Sequence, residues 1–224
     1  MKKAVAGLLA AVMLLSSALA VDTVSFSDED QITYRDAVLS LCQVGIINGK
    51  DDGTFDPKGS VTRAEAAKMI ATYVNGAPIV WSSDPAFIGT PGYPEAPTFN
   101  DIGEHWAMRY IEYCAAFGLI NGVGDGSFDP QGEVTHREFA KMTLAALGYD
   151  AETFGLSGVD WEINVNTLAN SVQLFDGLEV TDGPAAREEI CQILNNALSV
   201  APLERKAAGV DSDGNVIWEY TPTE

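Results

Sequence analysis

The sequence predicts a mostly α-helical protein assembled from copies of one helix–loop–helix unit, and three observations predict it. One stretch returns: Asn48-Gly49, Asp52-Gly53, Phe55-Asp56-Pro57 and Val61-Thr62-Arg63-Ala64-Glu65 reappear 73 residues on, without a gap, as Asn121-Gly122, Asp125-Gly126, Phe128-Asp129-Pro130 and Val134-Thr135-His136-Arg137-Glu138. Self-similarity at a fixed offset marks a repeat architecture. Apolar residues also recur at helical spacing ahead of a glycine stop: Ala37, Val38, Leu41 and Val44 before Gly45, then Tyr110, Tyr113, Cys114 and Phe117 before Gly118. Finally, Thr62 with Glu65 and Thr135 with Glu138 both fit a capping box, in which hydroxyl and carboxylate satisfy the orphan N–H groups of a helix start.

Taken in order, residues 1–20 read as a signal peptide. Lys2-Lys3 precede an apolar run, and Ala18-Leu19-Ala20 is a small-x-small cleavage site. The first unit spans 26–74. Asp28 or Asp30 serves as N-cap of a helix near 31–44, Asn48-Gly49 and Asp52-Gly53 make the turns, and a second helix starts at Thr62. Residues 75–98 carry Pro78, Pro85, Pro91, Pro94 and Pro97, which forbid a regular helix; Trp81, Phe87 and Tyr93 are expected to pin this linker to the bundle. The second unit, 99–148, repeats the plan with helices over Trp106–Phe117 and Thr135–Leu147. A worn third copy over 154–199 puts Trp161 opposite Trp106 and Ala186-Arg187-Glu188-Glu189 opposite Thr62-Arg63-Ala64-Glu65, so the arginine survives where the capping Thr does not. Residues 200–224 form a tail in which 210–218 read as a hairpin around Asp213-Gly214.

Composition narrows the function. Thirteen basic against 32 acidic side chains give a formal charge of −19, which opposes nucleic-acid or anionic-lipid binding. After the leader no apolar run is long enough to span a membrane. Cys42, Cys114 and Cys191 fall at small apolar helix positions and read as buried hydrophobes, without metal-ligand spacing. His105 and His136 are the two histidines, and neither sits in a nucleophile motif, so no enzyme and no cofactor is expected. Read as a calcium loop around Gly53, the chain places Lys50 at a ligand position and Gly59 where Glu is required, so no metal is expected there either.

Phe-x-Asp, a helix with Trp near its start, Gly-(Leu/Ile)-Ile-x-Gly, Asp-Gly-x-Phe-x-Pro and Thr-Arg-x-Glu together resemble the S-layer homology repeat. The resemblance covers 26–74 and 99–148 strongly and 154–199 as a divergent copy. It implies a pseudo-threefold bundle whose inter-repeat grooves bind secondary cell-wall polysaccharide, often pyruvylated, and so anchor the protein at the cell surface without covalent attachment. A structural S-layer lattice subunit, contacting other S-layer subunits, is the alternative role, and a wall-glycan enzyme a more distant one. Carried over, the groove residues are Asp28 and Arg63 in the first copy, Asp101, Trp106, His136 and Arg137 in the second, and Trp161 and Arg187 in the third. Thr33 stands where the first copy would carry Trp, His136 takes the Arg position of the second, and Leu156 replaces the third Asp. No copy is complete, so pieces of neighbouring copies must combine. Arg63 is expected to do more than cap, because a cation in a first helical turn opposes the macrodipole by a few tenths of a kcal/mol. An anionic sugar substituent would meet the forked guanidinium and the helix-start N–H groups, Trp106 would stack on a sugar face, and Asp28 or Asp101 would accept from hydroxyls.

Overall fold

A computed structural model describes residues 24–79, 81, 94–210 and 216–223. The signal peptide, Phe87 and Tyr93 of the linker, and the hairpin turn at 211–215 lie outside them. The described residues form three helix pairs and a ribbon. Helices α1 (Arg35–Gln43) and α2 (Arg63–Asn75), α3 (Met108–Ala116) and α4 (His136–Ala146), and α5 (Trp161–Ser171) and α6 (Arg187–Ala197) are followed by strands β1 (Leu203–Val210) and β2 (Val216–Pro222).

The second helix of each pair packs on the first helix of the next: α2 on α3, α4 on α5, and α6 back on α1. The bundle therefore closes on itself. Three isolated antiparallel bridges tie the segments ahead of α2, α4 and α6 into a ring, Thr62 with Glu133, Thr135 with Pro184 and Ser60 with Ala186. One apolar cluster fills the interior, with Leu41, Ile70, Ile111, Leu144, Val165 and Leu194 sealed from solvent on the six helices.

Both capping boxes form. Thr62 Oγ1 accepts the Glu65 N–H while Glu65 accepts the Thr62 N–H, and Thr135 and Glu138 do the same. At α6 half of the box survives without a hydroxyl, since Glu189 Oε2 still accepts the Ala186 N–H at 2.8 Å. Gly45 and Gly118 stop α1 and α3 at φ of +73° and +70°, a conformation a side chain resists.

Two expectations need correction. The first helix does not begin at 31: a 3-10 turn over Glu29–Gln31 precedes α1, and Asp28 makes no capping bond there because its carboxylate is engaged elsewhere. The C-terminal hairpin is longer than 210–218. Leu203 N–H donates to Leu147 O at 2.7 Å, Tyr220 packs edge-on to Phe154, and Arg205 lies 3.9 Å over the Trp218 ring, so tertiary contacts extend pairing to Leu203 and Pro222. Of the linker, Trp81 does pack on the bundle, edge-on to Tyr110 and Tyr113. Cys114 and Cys191 are buried, Cys42 is half-buried, and all three thiols are free.

Candidate functional site: three unequal clefts

The loop that joins the two helices of a unit is built around one phenylalanine. Phe55 and Phe128 are fully buried, each contributing about 1.5–3 kcal/mol. The early aspartate holds that loop in shape: Asp28 accepts the Phe55 and Asp56 N–H groups, both at 2.8 Å, and Asp101 accepts those of Phe128 and Asp129 at 2.9 and 2.8 Å. Such donors stabilise a carboxylate. Desolvation pushes the Asp28 carboxyl upward, but the Phe55 and Asp56 N–H groups together outweigh it, and its pKa lies below the ordinary value. Both aspartates therefore spend an oxygen on each of two loop N–H groups.

The phenylalanine in turn receives an arginine from a neighbouring unit. Arg63, at the start of α2, lies 4.6 Å over the Phe128 ring and donates from Nε to Phe128 O at 2.8 Å and from Nη2 to Asn121 O at 2.9 Å. It is only 8% exposed, and burial lowers its pKa against the opposing pull of Glu138, Asp129 and Asp101. Arg187, at the start of α6, repeats the pattern on the first loop with fewer bonds. Its guanidinium lies 5.3 Å over Phe55 and Nη2 donates to Asn48 O at 2.9 Å, whereas Nη1 stands 3.6 Å from Glu65 Oε1 and the buried Nε has no hydrogen-bond partner among the described residues. In both units the arginine thus braces a loop, a structural task separate from capping.

The helix starts themselves are not vacant. Arg63 and Ala64 N–H groups donate to Gly132 O and Pro130 O, and Arg187 and Glu188 N–H groups to Gly59 O and Pro57 O, at 2.7–3.1 Å. The orphan donors expected to face a ligand at α2 and α6 are thus satisfied by the adjoining loops.

Between α2 and α3 lies a cleft with a cavity of about 150 Å³. Asn48 and Gly49 of the first loop, Glu65 and Lys68 of α2, Trp106 ahead of α3, and Arg187 of α6 line it. Trp106 is 57% exposed, a large apolar surface to leave in water. All three helix pairs contribute to this lining, Glu65 and Lys68 from the first, Trp106 from the second and Arg187 from the third. Two cations and one carboxylate leave it formally one unit positive within a strongly acidic chain.

Between α4 and α5 the same parts recur in a different state. Arg63 is clamped on the second loop, and Lys141 Nζ sits 4.9 Å over the ring of Trp161. Burial lowers the Lys141 pKa, with Glu138 pulling the other way and Arg63 adding to the lowering. The aromatic face is covered by the lysine of its own cleft, a cation–π contact worth about 0.5–2 kcal/mol.

Between α6 and α1 the equivalents are Thr33 for Trp, Gln192 for Lys and His136 for Arg. Thr33 and Gln192 border a shallow depression. The Tyr34 hydroxyl donates to Gly177 O at 3.0 Å across the gap. Below it the buried Glu188 carboxylate accepts the Thr33 and Tyr34 N–H groups and pairs with Lys58. His136 is 1% exposed, with Nε2 3.1 Å from Glu189 Oε2. Arg137 points to Asp182, 2.6 Å away in an exposed ion pair, and joins neither of the other clefts in the described contacts.

Of the residues expected from sequence, Trp106 and Arg187 thus meet in one cleft, while Trp161 lies under Lys141, which also feels the charge of Arg63. Asp28 and Asp101 shape the loops beneath, and His136 and Arg137 lie apart. Lys68 and Lys141 were not foreseen. Their signal was present, since both stand at the same place in the two strong copies, three residues after the capping Glu. Among the described residues no cluster of His, Cys, Asp or Glu is arranged to hold a metal, and no helix is long and apolar enough to cross a membrane.

A closed ring of helix pairs, the second helix of each packed on the first of the next, defines a class of repeat-built helical modules. Residues 25–67 and 98–140 match the model of the S-layer homology domain, and the chain belongs to that family of exported cell-surface proteins. It is 32% identical over 193 residues to a cell surface protein of Thermoanaerobacter kivui, covering 84% of this chain and 23% of the relative. It is 25% identical over 224 residues to the middle cell wall protein of Brevibacillus brevis, and 26% identical over 227 residues to a surface layer protein of Brevibacillus choshinensis. These alignments cover 94% and 98% of this chain but 19% of each relative, so the chain spans about a fifth of their length.

Proposed function

We propose that this chain anchors to the bacterial cell wall non-covalently, by holding an acidic wall polysaccharide in its inter-unit clefts. One observation carries the reading: Arg187, Lys68 and the exposed Trp106 converge on a single cavity. A sugar ring bearing a carboxylate, such as a pyruvate ketal, offers what this set takes, an apolar face for indole and a fixed anion for guanidinium and ammonium. On this reading residues 154–199 are a third, divergent repeat. The α2/α3 cleft is the principal site, the α4/α5 cleft a second one opened when an anion draws Lys141 off Trp161, and the α6/α1 cleft takes no anion, because Glu188 and the bridging Tyr34 occupy it. Lattice assembly with other S-layer subunits is the second reading, favoured by the surface-layer relatives.

The test is sedimentation of the purified mature protein with native wall, with wall stripped of accessory polysaccharide, and with wall freed of pyruvate ketals. Binding to the first and not the second is expected, with loss on the third if the ketal is the anion. Equal sedimentation with native and stripped wall would refute the assignment.

A further inference from the structure

An Asn followed by Gly readily loses its side-chain amide, because glycine sets no side chain in the way when its own nitrogen attacks the Asn carbonyl. The chain has three such pairs, Asn48-Gly49, Asn75-Gly76 and Asn121-Gly122, and the fold treats them unequally. Asn48 and Asn121 are exposed in the two inter-helix loops; among the described residues neither side-chain amide is hydrogen-bonded, and neither the Gly49 nor the Gly122 N–H donates. Asn75 closes α2 half-buried, with its Nδ2 donating to Ala77 O at 2.9 Å and the Gly76 N–H to Tyr73 O at 3.2 Å, so both reacting groups are tied. Packing also keeps the loop glycines in place: a Cβ at Gly49 would meet the Phe26 ring at 2.5 Å, and one at Gly122 would meet Ser127 O at 2.4 Å. The carbonyl of each loop peptide accepts from a guanidinium, Asn48 O from Arg187 Nη2 and Asn121 O from Arg63 Nη2, both at 2.9 Å. These are the carbonyls of the amides whose nitrogens attack. A cation on that oxygen stabilises the charge left when the N–H proton departs, as donors aimed at a developing oxyanion do, and more strongly where water is screened out.

We infer that Asn48 and Asn121 are sites of self-promoted deamidation, their attacking amides activated by Arg187 and Arg63, and that the change at Asn48 turns down the α2/α3 cleft. Gly49 N gives up its proton and bonds to Asn48 Cγ; the Cγ–Nδ2 bond breaks, and ammonia leaves with that proton. Water then opens the cyclic imide at one carbonyl or the other. The product is aspartate, or an isoaspartate in which the carbonyl that Arg187 holds has become a carboxylate. Either sets a new anion beside Arg187 at the cavity that Asn48 lines, and removes its formal excess of positive charge. This consequence rests on the anchoring function proposed above; the covalent step does not.

The experiment incubates the full mature chain at mildly alkaline pH and follows the three Asn-Gly sites by peptide mass spectrometry, with isoaspartate detected separately and the denaturant-unfolded chain as reference. In the folded protein Asn48 and Asn121 should convert about tenfold or more faster than Asn75, and unfolding should bring the three rates together. Arg187→Ala should slow Asn48 about tenfold and leave Asn121 unchanged, whereas an arginine that merely braced the loop would protect Asn48, and its removal would speed the loss. Equal rates at the three folded sites, or an unchanged or faster conversion of Asn48 in the variant, would overturn the inference. In wall sedimentation, aged protein and Asn48→Asp should each bind native wall several-fold more weakly than fresh wild type. Undiminished binding by fully converted protein would overturn the effect on the cleft. If fresh wild type binds no wall, anchoring falls, while the mass spectra still decide the covalent step.

Discussion

Replacing Arg63 with alanine separates the structural from the binding use of the arginine that follows the capping Thr. The side chain is 8% exposed, donates two hydrogen bonds at 2.8 and 2.9 Å to main-chain carbonyls of the second loop, and covers the Phe128 ring. A hydrogen bond to a charged donor contributes about 1.5–3 kcal/mol, and a buried cation–π contact adds about 1–2 kcal/mol. Against this stand the desolvated charge and the opposed helix dipole, which the alanine relieves. The net expectation is a loss of about 3 kcal/mol, a large part of the ~5–15 kcal/mol stability of an ordinary domain. Arg187→Ala removes one such bond and a longer ring contact, so about 1–2 kcal/mol is expected. Urea unfolding of both variants gives the stability order. Wall binding, measured where both remain folded, gives the reverse order, because the Arg187 Nη1 lies 3.6 Å from Glu65 Oε1 beside the cavity whereas Arg63 is clamped on the second loop. Arg63→Ala within about 0.5 kcal/mol of the wild type would show that the loop clamp is dispensable and that Arg63 is no more committed to structure than Arg187.

Three further outcomes follow from the same geometry. Trp106→Ala should change the urea midpoint little, since the ring is 57% exposed, yet weaken wall binding by about 1–2 kcal/mol in a binding isotherm; unaltered affinity would return the ring to a surface accident. The lowered pKa of Asp28 gives a pH signature: its contribution is complete above the unfolded value of 3.8 and is lost as pH falls through the lower folded value, so Asp28→Asn should flatten the decline of stability between about pH 5 and pH 2, and an unchanged slope would count against the loop role. Gly122→Ala should destabilise the second loop by about 1–3 kcal/mol in thermal unfolding, because its Cβ would meet Ser127 O at 2.4 Å and the Phe99 ring at 2.7 Å; a neutral substitution would mean that the loop yields.

How much of this was legible in the sequence depended on whether the cause was local. Thr62 and Glu65 are three residues apart and bond to each other, so the box and the start of α2 could be read directly. The start of α1 could not, because Asp28 bonds to residues 27 and 28 positions away, and a nearby helix start was the simpler use for it. The clamp of Arg187 on Asn48 spans 139 positions and ends on a carbonyl, which has no sequence signature at all. Internal repetition still pointed to Arg187, since the residue persisted after its capping neighbour was lost. Lys68 and Lys141 lay in plain view within the repeated stretches, but a lysine on a helix face ordinarily means solvent, and only the tryptophans opposite give them meaning. The ribbon was underestimated because Glu204-Arg205-Lys206-Ala207-Ala208 lacks strand-forming side chains, and tertiary contacts override that.

The closure of α6 onto α1 sets an order of events during synthesis and export. The cavity beside Trp106 needs Arg187, which emerges from the ribosome long after the first loop that it grips. A nascent chain that has extruded its first two helix pairs therefore has the indole and Lys68 but lacks the guanidinium, and its first loop waits unbraced. Competence at that site arrives late, with the last helix, whereas the cleft around Trp161 is complete one helix earlier.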